Sequence, residues 1–165
     1  LVEKRFKIGD WIFVEGITEG IVERIGFRST VIRKFDKSIA TIPNASFAEN
    51  AVVNITETTN WRISWIITLQ YSSTIEQLKN IRDQIEKFIF TSKDFKIGED
   101  TEHAVRIDKF SDSSIDMYIR CFTVTNEWSE WLKVKERLAV KVKEIVESNG
   151  ASFAFPSTSV YVEKK

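Results

Sequence analysis

Apolar residues up to position 60 come in short runs, broken at close intervals by turn-formers. Gly9-Asp10, Gly16, Gly20, Gly26, Asp36-Lys37 and Pro43-Asn44 punctuate the chain. Between them lie Trp11–Val14, Ile21–Ile25, Ser29–Arg33 and Ile39–Ile42. Short β-branched and aromatic runs at that spacing predict the strands of a small barrel or sandwich. Pro43 removes a ladder donor and ends the fourth strand. Asn44–Ala48 then reads as one helical turn capped by Asn44, and Ala51–Ile55 as a closing strand.

The pattern changes across the polar run Thr56-Glu57-Thr58-Thr59-Asn60, which predicts a boundary. The expected domains are 1–60, all β, and 61–165, α/β. Beyond the boundary Trp61, Ile63, Trp65, Ile67, Leu69 and Tyr71 alternate with Arg62, Ser64, Thr68 and Gln70, with Ile66 the exception. That period of two predicts a long strand with one buried face. Ser73 and Glu76 form a capping-box signature. Ile75, Leu78, Ile81, Ile85, Phe88 and Ile89 follow at helical spacing. Thr91–Glu102 is polar, carries Gly98 and predicts a loop. Val105–Phe110 and Ile115–Thr123 predict a hairpin turning at Ser111-Asp112-Ser113, with Ile115, Met117, Ile119 and Cys121 on one face. A second helix is expected from Glu127 to Glu147. Its expected buried stripe is Trp128, Trp131, Leu132, Leu138, Val142, Ile145 and Val146, and Asn149-Gly150 its C-cap. Val160–Val162 predicts a last short strand. The order βαββαβ is ferredoxin-like.

Composition narrows the class. The 165 residues are 42% hydrophobic and 12% aromatic, enough for a sizeable core and unlike a disordered chain. Charge balances, with 24 Lys+Arg against 24 Asp+Glu. It also balances along the chain, with eight of each sign up to residue 60 and sixteen of each beyond. A nucleic-acid binder carries a basic stripe, and the sequence offers none. No segment approaches the ~18 apolar residues of a membrane span, and no signal peptide is present. The chain begins at Leu1 inside an expected ordered element, which reads as a piece of a longer protein.

Little in the sequence points to catalysis. Cys121 and His103 are the one cysteine and one histidine, so neither an intramolecular disulfide nor a Cys/His zinc site can form. Cys121 lies on the apolar strand face and reads as a buried, inert thiol. His103, at a loop end, reads as solvent-exposed. No carboxylate pair is isolated by its spacing, and no Gly-rich phosphate loop, HExxH or GxSxG pattern occurs. The expectation is a non-enzyme with no metal and no cofactor. Trp11, Trp61, Trp65, Trp128 and Trp131 are expected in the core or at subunit contacts, with one of Trp128 and Trp131, which open the second helix, half exposed.

One series of positions carries more. It runs Phe6-x-x-Gly9-Asp10-x-Ile12-x-Val14, Gly20-x-Val22-x-x-Ile25, Thr30-x-Ile32-Arg33-x-x-Asp36, Ile42-Pro43-Asn44 and Asn54-Ile55-Thr56. It ends with Gly150, Phe153-Ala154-Phe155-Pro156 and Val160-Tyr161-Val162. In order and spacing this series resembles the soluble C-terminal region of small-conductance mechanosensitive (MscS-type) ion channels. The loop Thr91–Glu102 departs from the pattern. The resemblance implies a small Sm-like β-barrel followed by a ferredoxin-like domain. Phe6, Gly9, Asp10, Gly20, Thr30, Arg33, Asp36, Pro43, Asn44, Gly150 and Pro156 would be its structural positions.

The resemblance further implies a membrane protein whose soluble part faces the cytoplasm or an organelle interior. Seven copies would form a homo-oligomeric ring, held to the membrane by pore helices preceding Phe6. Ions and small osmolytes would pass through side portals and the pore under membrane tension, without nucleic acid as a partner. Arg24, Arg28, Arg33 and Lys34 are candidates to line that path, since fixed charge in a narrow opening biases ion accumulation. The alternative is a soluble binding module, possibly for RNA, because barrels and ferredoxin-like sheets bind nucleic acid through exposed aromatics.

Overall fold

The structure of the chain, a computed structural model, describes residues 5–156. It divides into two compact units, Leu1–Thr58 and Thr59–Lys165. The first is built on five strands: β1 (Trp11–Val14), β2 (Thr18–Ile25), β3 (Ser29–Arg33), β4 (Ile39–Pro43) and β5 (Val52–Asn54). They form an antiparallel sheet in the order β4-β3-β2-β1-β5. A short helix α1 (Ser46–Glu49) precedes β5, and a 3-10 turn (Ile55–Glu57) follows it. Alternation delivers Ile12, Val14, Val22, Ile32 and Ile42 to one core, closed by Phe47 from α1. β2 starts earlier than the apolar run alone predicts, because Thr18 and Glu19 pair with Val14 and Phe13.

The second unit is a three-stranded antiparallel sheet with two helices on one face. β6 (Arg62–Leu69), β8 (Ile115–Phe122) and β7 (Ala104–Phe110) lie in the order β6-β8-β7. Ile63, Leu69, Met117, Ile119 and Cys121 point into a core against α2 (Ile75–Thr91) and α3 (Trp128–Ser148). Ile66 falls on the other face and is 54% exposed. The segment after α3 bridges to β6 at Leu69↔Phe153, where a ferredoxin-like fourth strand belongs. Gln70 N donates to Ser152 O at 3.0 Å and Ala154 N to Thr68 O at 2.8 Å. Pro156 has no N–H to continue that ladder. The strand expected at Val160–Val162 lies outside the described residues.

Several local expectations are corrected. The capping box of α2 is Thr74 with Gln77, not Ser73 with Glu76. Gln77 N donates to Thr74 Oγ1 at 3.2 Å and Thr74 N to Gln77 Oε1 at 2.8 Å. Ser73 N is already committed to a turn with Gln70 O, so the helix starts one residue later. Asn44 does not cap α1, whose N-cap is Ala45 and lacks a side-chain bond. On α3, Trp128 is the half-exposed member of the opening pair, at 44%, but Leu132 is 46% exposed against expectation, while Val134 is buried. Leu132 stands two residues from Val134, about 200° around the helix, and so faces away from the core. At the other end α3 closes with Gly150 at φ +69°. Ala151 N reaches Val146 O at 3.1 Å and Gly150 N reaches Glu147 O at 3.0 Å. That pair of bonds is the Schellman stop that glycine permits.

The segment Thr91–Glu102 is more than a solvated loop. Phe95 is buried against Phe88, and Thr101 is buried. Phe95 bridges to Thr123, and Lys96 N donates to Phe122 O at 2.9 Å. Arg137 holds the segment with two bonds to Asp94, at 2.9 and 2.8 Å. The Asp94 hydrogen bonds hold the Arg137 guanidinium above its ordinary pKa.

Candidate functional site

The motif residues of the first unit gather into three structural knots. The first ties the chain's entry to its exit. Gly9 (φ +92°) donates its N–H to Val22 O at 2.8 Å. Asp10 is buried, and its carboxylate accepts from Lys7 N at 3.0 Å and from Asn54 Nδ2 at 2.9 Å. Local backbone bonding of Asp10 follows from its place in a turn; the cross-link to Asn54 on β5 does not. Phe6 packs on Phe47 with ring centroids 5.0 Å apart.

The second knot is built on Asn44. Its Nδ2 donates to Gly26 O at 2.9 Å and Phe27 O at 3.1 Å, and its Oδ1 accepts from Thr30 Oγ1 at 2.9 Å. Its backbone N donates to Arg28 O at 2.9 Å. One amide side chain therefore clamps the whole β2–β3 turn. Pro43, paired with Ser29 on the edge strand β4, delivers Asn44 to that position.

The third knot is the β3–β4 turn. Arg33 donates to Glu23 at 2.9 Å and to Lys37 O at 3.0 Å. Asp36 accepts from Ser38 N at 2.9 Å and Ser38 Oγ at 2.5 Å. The Ser38 hydrogen bonds hold the Asp36 carboxyl below the usual value. Gly20 stands apart from the knots, where β2 presses on β3; its contacts bear on stability. Gly150 and Pro156 belong to the other unit.

Of the charged candidates, Arg33 and Lys34 are engaged with Glu23 and Asp36. Arg24 and Arg28 are exposed and form no ion pair among the described residues. His103 is half-buried, where its loop position suggests full exposure. Its ring lies between Phe90 and Phe122, with centroids 5.8 and 6.3 Å away, and Nε2 is 2.6 Å from Lys96 O. The cause is the anchored Phe95 segment, which brings Lys96 to it. Nδ1 of His103 and Nε1 of Trp131 have no hydrogen-bond partner among the described residues. Trp61, Trp128 and Trp131 form one cluster, with centroids 4.6 to 5.4 Å apart, and Lys135 lies 4.3 Å from the Trp131 ring centroid. Alternation places Trp61 there from the strand side, but nothing in the sequence brings it to Trp128.

Cys121 is buried on the core face of β8, and burial pushes its thiol up to about 12. Above pH 9 the unfolded chain releases this proton and the folded chain keeps it. Folding stability is therefore expected to fall with rising pH from 9 upward, with a slope approaching about 1.4 kcal/mol per pH unit. Urea unfolding of the chain and of Cys121→Ser across pH 8 to 10.5 checks this. The slope should flatten in the variant, and native Cys121 should resist alkylation at pH 8.

Among the described residues no group of three or more His, Cys, Asp or Glu is placed to hold a metal ion. No helix there is long and apolar enough to cross a membrane.

Comparison with known proteins adds to this geometry. Residues 1–57 match the family model described as mechanosensitive ion channel, beta-domain, and residues 63–153 match that of mechanosensitive ion channel MscS, C-terminal. An uncharacterized MscS family protein of Aquifex aeolicus is 41% identical over 164 residues, covering 99% of this chain and 44% of the relative. The low conductance mechanosensitive channel YnaI of Escherichia coli is 33% identical over 165 residues, covering 98% of this chain and 46% of YnaI. The chain thus spans less than half the length of these relatives. The crystal structure of Helicobacter pylori MscS in its closed state superposes with a TM-score of 0.81 at 26% identity, over 99% of this chain and 62% of that one. Arabidopsis thaliana MSL1 shares the fold, with a TM-score of 0.83 at 19% identity, over 93% of this chain and 54% of that one.

Proposed function

This chain belongs to the MscS family of mechanosensitive ion channels, and on that premise we propose that it forms the cytoplasm-facing vestibule region of a tension-gated channel. The observation that carries the reading is the succession of two family matches, 1–57 and 63–153, over nearly the whole chain. The β unit would sit beneath the pore, and the α/β unit would enclose a vestibule through whose portals ions and small osmolytes pass. Seven copies would close as a homo-oligomeric ring. The fragment is the filter and assembly platform, and the tension sensor lies in membrane helices elsewhere in the protein. Nucleic-acid binding has no comparable support, since Arg106 and Arg120 on β7 and β8 are already paired with Glu86 and Glu102.

Anchoring through pore helices raises the effective concentration of the soluble units, so their own contacts need not be strong. Two measurements test the proposal. Pressure-clamp recording of the full-length protein in liposomes should give tension-gated current, and its absence from well-folded protein overturns the channel reading. Light scattering of the 165-residue chain should give a monomer or a concentration-dependent mixture. A stable ring at the lowest concentration overturns the avidity argument alone.

A further inference from the structure

One end of the β unit carries a rim that its own fold does not use. Gly9 N donates to Val22 O and Val22 N to Asp10 O, both at 2.8 Å, so the β1–β2 ladder extends upstream of Trp11. Just upstream the chain turns, with Asp10 N donating to Lys7 O at 3.1 Å, so Lys7 and Ile8 form a turn at the end of that ladder. β2 then runs on to Ile25 and turns through Gly26–Arg28 into β3. On this rim Ile8, Ile25 and Phe27 are exposed, and Phe27 is 98% exposed. Arg5, which donates to Phe47 O, is at the same end. Lys7, Arg24 and Arg28 are exposed and enter no ion pair among the described residues. Of the acids beside them, Glu23 is paired with Arg33 and Asp10 is buried. Glu49 on α1 remains exposed. The rim is therefore basic around an apolar tip.

The tip is held rigidly. Gly26 N donates to Ser29 O at 2.8 Å, and Asn44 grips the carbonyls of Gly26, Phe27 and Arg28. An aromatic ring almost wholly in water, on a turn pinned by four hydrogen bonds, is positioned for something outside this unit.

We propose that this rim docks on an anionic bilayer surface, with Phe27 entering the headgroup boundary and Lys7, Arg24 and Arg28 meeting anionic headgroups. The inference goes beyond the channel reading, which does not depend on it. An apolar Phe ring flanked by basic residues buries at the boundary of headgroups and acyl chains, and each Lys or Arg near an anionic leaflet adds to the attraction. The charge pattern favours a bilayer over a protein partner. Protein interfaces are depleted of charge at their core, whereas here Arg24 and Arg28 bracket Ile25 and Phe27 at the turn itself.

The test is co-sedimentation of the chain with large unilamellar vesicles, up to millimolar lipid. One set is phosphatidylcholine alone and the other contains phosphatidylglycerol. Binding should require phosphatidylglycerol and weaken as salt shortens the Debye length. Phe27→Ser should lower the partition about tenfold, as loss of a buried aromatic implies. Arg24→Gln with Arg28→Gln should lower it roughly twentyfold. Ile39→Ser, on β4, should leave it unchanged. All four sites are exposed, so circular dichroism should find each variant folded. Equal binding to both vesicle types, no binding at millimolar lipid, or binding indifferent to Phe27→Ser overturns the proposal. Self-association that Phe27→Ser abolishes, without vesicle binding, overturns it in favour of a second copy.

Discussion

Replacing Ile119 by aspartate is expected to unfold the α/β unit, while the same change at Ile66 leaves it folded. The two residues lie on neighbouring strands but on opposite faces. Ile119 stands opposite Trp65 on β6 and Val105 on β7 and is fully buried in the core under α2 and α3. A carboxylate there meets no cation. It must either stay charged in an apolar medium or take up a proton at a raised pKa, and each route costs several kcal/mol. A domain holds only about 5–15 kcal/mol in total, so one such change consumes most of it. Ile66 pairs with Tyr118 on the uncovered face, where a carboxylate keeps its water. A change there should stay within about 0.5 kcal/mol. The helical circular dichroism signal reports this unit directly, because both long helices belong to it. If Ile119→Asp kept that signal, or Ile66→Asp lost it, the face assignment of the sheet would be wrong.

That contrast was legible in the sequence for a simple reason. Period-two alternation survives any detail of tertiary packing, so Ile63 and Leu69 declared their face and Ile66 declared itself the exception. Helical spacing located α2 and α3 equally well. Less legible was whatever depends on a partner far along the chain. Asn44 followed by a helical turn reads as a cap, yet its amide is drawn to Gly26 and Phe27, which only strand pairing brings near. His103 reads as exposed because nothing local announces that Phe95 will bury and carry Lys96 toward it. Leu132 joined the expected stripe because apolar character was counted before rotation about the helix axis. The motif series marked the three knots of the β unit, but their bonds are cross-strand and had no sequence signature beyond residue type.

Gly20 shows how a motif residue acquires a physical cost, and its replacement by alanine should destabilise the β unit by about 1–3 kcal/mol. Gly20 lies in β2 opposite Ile12, where β3 presses close on its other side. A Cβ there would fall 2.8 Å from Ile32 Cγ2 and 2.9 Å from the Arg33 carbonyl carbon, and closer still to Arg33 O. Ile32 is a core side chain with no exposed surface to swing into, and Arg33 is backbone in the β3 ladder. Neither can yield without parting β2 from β3. Alanine would also stiffen the unfolded chain, a gain of about 0.4–1 kcal/mol that offsets part of the loss. A control separates crowding from backbone geometry. Gly16 has φ +70° with nothing within 4 Å of an added Cβ, so Gly16→Ala meets only the left-handed backbone penalty, about 1–2 kcal/mol. Leucine at the two positions divides them further, since it lacks the Cβ branch that a positive φ rejects. It should deepen the loss at Gly20, where space is missing, far more than at Gly16, where a side chain points into the open. Trp11 is one of five tryptophans and the other four lie in the second unit, so hydrogen exchange of the β2 and β3 amides across a urea series gives the local readout of unfolding. Gly20→Ala unfolding at the wild-type midpoint would mean that β2 and β3 sit further apart than the structure has them.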